Sequence, residues 1–290
     1  MMSLCRDWPT EPNINCMEEQ SEELTQPAES IVSMAEEELN FTNDEIGSVL
    51  LFSGVCDALV TAKYHEMQHG AGSSWFDPAV FDGQKLTRII GDPVDTRFDI
   101  PENLAETTLF KYVTGIDYSR KTTSALAAVD KTLFTADRVF NVAMPKIIEN
   151  LFSIATKWSS VLNVPLITYR GLAIKTRNIE HCNLNVGDSV PIDNFTSTSI
   201  SCNMAGTFMH KSQRKDVEGP LTHCGLMYKF LIPPHTKCIP TFGMHYYPEE
   251  CEVILVPDDN VEWTVIGRDM RETDKFRVVL LTVKGTHLGA

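Results

Sequence analysis

The sequence predicts an α+β fold, helical in its first half and strand-rich in its second. Apolar residues recur at helical spacing over 43–69, 103–116 and 135–160. Beyond Pro165 they fall into short β-rich runs at 165–171, 195–200, 226–232, 251–256, 261–267 and 277–284. Gly, Pro, Asn and Asp separate these runs. Helices first and strands afterwards argue against a doubly wound sheet.

The first helix is expected to start at Asn43-Asp44-Glu45, a cap followed by acids in the first turn. Ile46, Val49, Leu50, Val55, Ala58 and Leu59 supply its apolar face, and Gly70-Ala71-Gly72 ends it near His69. The second helix ends near Gly115. The third presents Val139, Val142, Ala143, Ile147, Ile148, Leu151, Ile154 and Ala155 at helical spacing. Residues 75–104 read as loops with short elements. The expected organisation is an acidic, disordered tail over 1–40, a helical and loop region of unassigned role over 41–102, and a main domain over 103–290.

Charge supports the tail. Residues 1–48 hold twelve acidic residues and one basic residue, Arg6, whereas the remaining chain is close to neutral. Glu22-Glu23 and Glu36-Glu37-Glu38 repel locally. With 290 residues and 43% hydrophobic content, the rest can bury a sizeable core. No basic stripe marks a nucleic-acid partner. No apolar run is long enough to span a bilayer, and the N-terminus lacks the pattern of a secretory signal. The eight cysteines form no CxxC pair, which suits reduced thiols and a cytoplasmic location. Export, or delivery into a host cell, would leave little trace in such a sequence.

Three short elements carry the candidate chemistry. In Ile167-Thr168-Tyr169-Arg170-Gly171-Leu172 an arginine ends a strand and can aim a planar guanidinium at a phosphate. The glycine after it allows close approach to the backbone. In Asn194-Phe195-Thr196-Ser197-Thr198-Ser199 hydroxyls line a polar strand face, with Ser197 and Ser199 on one side. In Tyr247-Pro248-Glu249-Glu250-Cys251-Glu252 two carboxylates, Glu250 and Glu252, lie two residues apart before the apolar Val253-Ile254-Leu255. On a strand they would share a face and repel, a costly placement without a task. Singly, each element also fits an ordinary strand edge or acidic loop.

Taken in order, Tyr-Arg-Gly, Phe-x-Ser-Thr-Ser and Glu-x-Glu resemble the motifs of mono-ADP-ribosyltransferases of the Arg–Ser–Glu type. The resemblance spans roughly residues 103–290. It implies a split β-sandwich with a small helical lobe, NAD as co-substrate in the cleft between the sheets, and no metal. It further implies that Arg170 binds an NAD phosphate and that the backbone of Gly171 holds the nicotinamide carboxamide. Ser197 would position nicotinamide and steady Glu252, and Asn194 would contact NAD. Phe208, on a loop after the serine motif, would stack on nicotinamide. Lys211 stands where relatives carry a phosphate-contacting arginine, a change that keeps the charge and loses the bidentate fork. Tyr247 would recognise the protein substrate. Glu252 would stabilise an oxocarbenium-like state, and Glu250 would deprotonate the acceptor. A glutamate at 250 goes with arginine acceptors on a protein partner. The sequence leaves the oligomeric state open.

Three rival readings stand beside this one. His65-Glu66-Met67-Gln68-His69 is an HExxH motif on a predicted helix, which could bind zinc and act as a peptidase. Trp75, however, occupies the third-ligand position of one extended pattern and cannot ligate. The other two rivals are NAD hydrolysis with water as acceptor and a catalytically silent interaction protein on the same scaffold.

Overall fold

Thr42 starts the first helix. Its hydroxyl accepts the Glu45 N–H at 3.2 Å, and the Glu45 carboxylate accepts the Thr42 N–H at 2.7 Å. This reciprocal capping box places the cap one residue before the expected Asn43 and opens α1, Asn43–Leu51. In the computed structural model the described residues are 39–73, 104–116, 135–175, 183–211, 223–241, 244, 250–272 and 277–289. Residues 1–38 of the expected tail, most of 75–104, and Tyr247 lie outside them.

The run expected as one helix over 43–69 is two. After α1 a π turn, Phe52–Cys56, intervenes before α2, Asp57–His69, and the axis bends by 106°. The extra residue of a π turn rotates the next helix out of the phase an unbroken α-helix would keep. Gly70, at φ 98°, ends α2. Helix α3, Leu104–Thr114, packs on α1, and Gly47 makes that approach possible because a Cβ there would overlap the Thr108 side chain. A short α4, Ala136–Arg138, and a second π turn, Val139–Ala143, lead into α5, Met144–Val161. Its Ile147, Ile148, Leu151, Ile154, Ala155 and Trp158 form a buried stripe. No single described helix is long and apolar enough to cross a membrane.

The strands are β1 (Leu166–Lys175), β2 (Thr196–Ser199), β3 (His223–Ile232), β4 (Cys238–Pro240), β5 (Glu252–Leu255), β6 (Val261–Glu272) and β7 (Arg277–His287). Between β2 and β3 lies α6, Cys202–Lys211. Periodicity in the sequence predicts six of these strands and misses β4, three residues long and closed by a proline. As an edge strand β4 tolerates that proline. The sheet order is β4-β5-β2-β1-β3-β7-β6. The β3–β7 pair is parallel and the other pairs are antiparallel. Two wings, β4-β5-β2 and β1-β3-β7-β6, meet through one residue pair, Tyr169↔Ser199. The expected split is therefore a weak seam in a hydrogen-bonded seven-stranded sheet.

Alternation along β1 assigns its faces. Leu166 and Leu172 join the main core beneath the helices, whereas Ile167 and Tyr169 join a smaller cluster with Ala205 and Met227 under α6. The main core runs without interruption from Ile46, Leu50 and Val60 to Val253, Ile254 and Val283. Ile46, Leu50, Leu59 and Val60 of the first two helices belong to this core.

Candidate active site

The seam between the wings is the floor of a cleft of about 260 Å³, lined by Asp57, Arg170, Ser197, Phe208, Glu250 and Glu252 among others. That is slightly below the ~300–1,000 Å³ of small-molecule sites, room for one end of a dinucleotide. Arg170 has the parity of Leu166 and Leu172, so its side chain leaves β1 toward the helical lobe. Its Nη1 donates to the Ser197 carbonyl at 2.8 Å, which ties the two wings across their seam. Burial lowers the guanidinium pKa, while Tyr228, Asp57 and Glu252 act in the opposite sense.

Glu252 begins β5 and is buried, at 7% exposure. Register puts Ser199 directly opposite it and Ser197 on the diagonal, opposite Ile254. The Ser197 hydroxyl donates to the Glu252 carboxylate in a short hydrogen bond. A buried carboxylate needs such donors, because desolvation without them is costly.

The two glutamates meet at the cleft for a different reason from the one expected. Glu250 precedes β5 and does not alternate with Glu252 along it. Between them Cys251 sits at φ 44°, in the left-handed region that a side-chain-bearing residue rarely adopts. That reversal brings both carboxylates to one cleft. The backbone is held carbonyl by carbonyl. Ser199 Oγ donates to Glu250 O at 2.6 Å, and Ile200 N donates to Cys251 O at 3.1 Å. Thr241 donates to Glu252 O through both N and Oγ1, each at 3.0 Å. Local strain survives where its surroundings over-determine it.

Gly171 is required by α6. A Cβ at this position would overlap the Ala205 carbonyl, a backbone atom that cannot step aside. The close approach read from sequence is therefore made first by a helix. Phe208, expected on a loop, stands on α6 at the cleft, 40% exposed. Lys211 is the last residue of the same helix. Asn194 does not line the cleft. Its amide nitrogen donates to the Thr61 carbonyl of α2 at 3.1 Å, and its side-chain oxygen accepts the Phe195 N–H at 2.9 Å.

Sequence reasoning missed Asp57. It opens α2 directly after the π turn and faces the sheet-borne groups across the cleft. Desolvation and repulsion from Glu252 raise its carboxyl pKa, while the Ala58 N–H and Arg170 oppose the shift. Thr241 was missed as well, since its task is done from the backbone side of Glu252.

At the HExxH motif the His65 and His69 ring centroids lie 4.4 Å apart with the planes tilted by 51°. Glu66, however, is held by Lys63 at 2.7 Å, and Lys63 also binds Asn141 at 2.8 Å and lies 4.8 Å from the Phe140 ring centroid. A carboxylate neutralised in this way is a poor base for activating water. Among the described residues no group of three His, Cys, Asp or Glu side chains could hold a metal ion.

No family model and no curated protein matches the sequence. Among solved structures, the chain is similar to the Vis toxin, an ADP-ribosyltransferase from Vibrio splendidus. Identity is 14% and TM-score 0.44, over 98% of this chain and 90% of that one. A structure of Vis in complex with agmatine matches at 17% identity and TM-score 0.43 over the same shares. HopU1, an ADP-ribosyltransferase of Pseudomonas syringae pv. tomato, matches at 16% identity and TM-score 0.34, over 65% of this chain and 68% of its own. In structure, then, the chain is similar to proteins described as ADP-ribosyltransferases.

Proposed function

We propose that this chain transfers ADP-ribose from NAD to an arginine side chain of a protein, releasing nicotinamide. The observation that carries the reading is the Ser197 hydroxyl on the Glu252 carboxylate, beside Arg170, on the floor of one cleft. A desolvated guanidinium is a strong partner for a phosphate, and the cleft has room for the nicotinamide–ribose end. The motif resemblance supports NAD as the substrate.

In this reading Arg170 binds a phosphate of NAD. Ser197 fixes the Glu252 carboxylate so that it takes a ribose hydroxyl and stabilises positive charge on the ribose as the bond to nicotinamide breaks. The carboxylate is in place beforehand, so little reorganisation is needed during the reaction. Glu250 accepts a proton from the incoming acceptor. A glutamate at this position supports a guanidinium acceptor. Phe208 offers a ring face for nicotinamide, and Gly171 a backbone edge for its carboxamide. Lys211 adds a second charge for the phosphates, and Tyr247 a contact for the protein substrate.

The test is nicotinamide release from NAD, with and without agmatine, a free guanidinium acceptor. Agmatine should stimulate release. Glu252→Gln should lower release at least ~10²–10³-fold, the scale on which a transition-state stabiliser is lost, and Glu250→Gln should abolish the agmatine-dependent part. Release indifferent to agmatine would mean an NAD glycohydrolase. A folded chain that neither binds nor cleaves NAD would overturn the reading.

A further inference from the structure

Asp57 is a third carboxylate lining the cleft, carried by the helical lobe, whereas Glu250 and Glu252 come from the start of β5. Its position is unfavourable for a structural acid. It shares the cleft with the like-charged Glu252, and among the described residues no lysine or arginine lies within ion-pair distance. The π turn Phe52–Cys56, immediately before it, sets the direction in which α2 starts. Such turns are often found at functional sites.

We propose that Asp57 is a specificity-determining residue that binds the guanidinium of the acceptor, on the wall facing Glu250. This rests on the transferase reading above and extends it to the acceptor. Charge selects the ligand. NAD brings a pyrophosphate to Arg170, and a carboxylate near that arginine opposes its binding, so Asp57 is misplaced for the anionic part of NAD. A cation gains from it. Three carboxylates and one arginine leave the cleft net negative. Asp57 is also solvent-exposed, so a side chain projecting from another protein can reach it. A guanidinium has five N–H donors in a planar fork, enough to bridge carboxylates on two walls. Held by Asp57 on one side, it would present a nitrogen to Glu250 on the other.

Calorimetric titration of agmatine into the full chain, with and without NAD, tests this on wild type, Asp57→Asn and Asp57→Glu. The agmatine Kd should rise about tenfold in Asp57→Asn, the scale of one charge-assisted contact, with partial recovery in Asp57→Glu. NAD, whose pyrophosphate the carboxylate opposes, should bind no more weakly. An unchanged agmatine Kd would leave Asp57 an ordinary acid at a helix start and overturn the proposal. Parallel weakening of NAD would assign Asp57 to the ribose and overturn it too. So would loss of the folded state in both variants, which would make the residue structural. Agmatine that binds through Asp57 to a wild type releasing no nicotinamide would sink the transferase reading and leave this contact standing.

Discussion

The two walls of the cleft are built by opposite means. On the sheet side, Arg170, Ser197 and Glu252 are placed by strand register, and hydrogen bonds fix Glu250, Cys251 and Glu252 at each carbonyl. On the helical side, Asp57 follows a π turn and opens a helix held by packing of Leu59 and Val60 in the common core and by the Asn194 amide on the Thr61 carbonyl. A wall fixed by a ladder suits groups that must not move during bond cleavage. One fixed by a turn can differ in what it admits without disturbing the first. The difference assigns chemistry to the sheet and selection to the lobe, and each assignment can be broken separately.

The largest effect is expected at the sheet wall. Gly171→Ala drives a methyl into the Ala205 carbonyl. Either α6 lifts from β1 or the strand yields, at a cost of about 3 kcal/mol, the upper end for overpacking. Because α6 also carries Phe208, the variant should lose both stability in urea and affinity for NAD. Gly225→Ala is the control. There the obstacle is the flexible Met209 side chain, which can move, so the loss should be smaller. Equal losses would mean that close packing of α6 on β1 does not hold this wall.

Next comes the anchorage of the helical wall. Glu45, 5% exposed, joins α1 to α5 by accepting from Ser153 Oγ and Lys157 Nζ, each at 2.7 Å, besides closing the capping box. Burial alone would raise its pKa. The bonds from Lys157, Thr42 and Ser153 outweigh burial and leave it below the ordinary 4.5. A depressed carboxylate contributes stability that is present above its unfolded value and lost as pH falls through the folded one. Wild type should therefore lose stability as pH drops below 4.5. Glu45→Gln should start about 2 kcal/mol lower at neutral pH and show a flatter acid limb in chemical denaturation. An acid limb of the same slope in the variant would remove Glu45 from the account.

The same contrast decides how much of each wall is legible in the sequence. Arg170, Ser197, Glu250 and Glu252 can be read because strand alternation and short motifs survive without knowledge of packing. The route to the Glu250–Glu252 pair cannot, since nothing in Glu-Cys-Glu announces a left-handed cysteine. Asn194 belongs to the serine motif in sequence, yet its amide goes to Thr61 because α2 passes there, a fact of tertiary packing. Phe208 is expected on a loop because the resemblance puts a loop after the serine motif, and in the structure that segment is a helix packed on β1 and β3. Asp57 is invisible. Apolar spacing runs on through 46–59, and the π turn that changes the phase leaves no mark in composition. Legibility fails wherever a contact distant in sequence, or one extra residue in a helix, decides a direction.

The smallest effect sharpens the sheet wall at the strained Cys251. Cys251 at φ 44° adopts a conformation that costs a side-chain-bearing residue about 1–2 kcal/mol and glycine almost nothing. Cys251→Gly should therefore fold at least as stably as wild type, the gain offset in part by greater freedom of the unfolded chain. Cys251→Val, branched at Cβ, should lose about 1–2 kcal/mol. The informative readout is activity. If the strain serves only to aim the two glutamates, the glycine variant keeps its nicotinamide release, because Ser199, Ile200 and Thr241 still hold the three carbonyls. Release that falls in the glycine variant while its stability rises would show that the side chain itself restrains the turn, and the hydrogen bonds would then be insufficient to fix this wall.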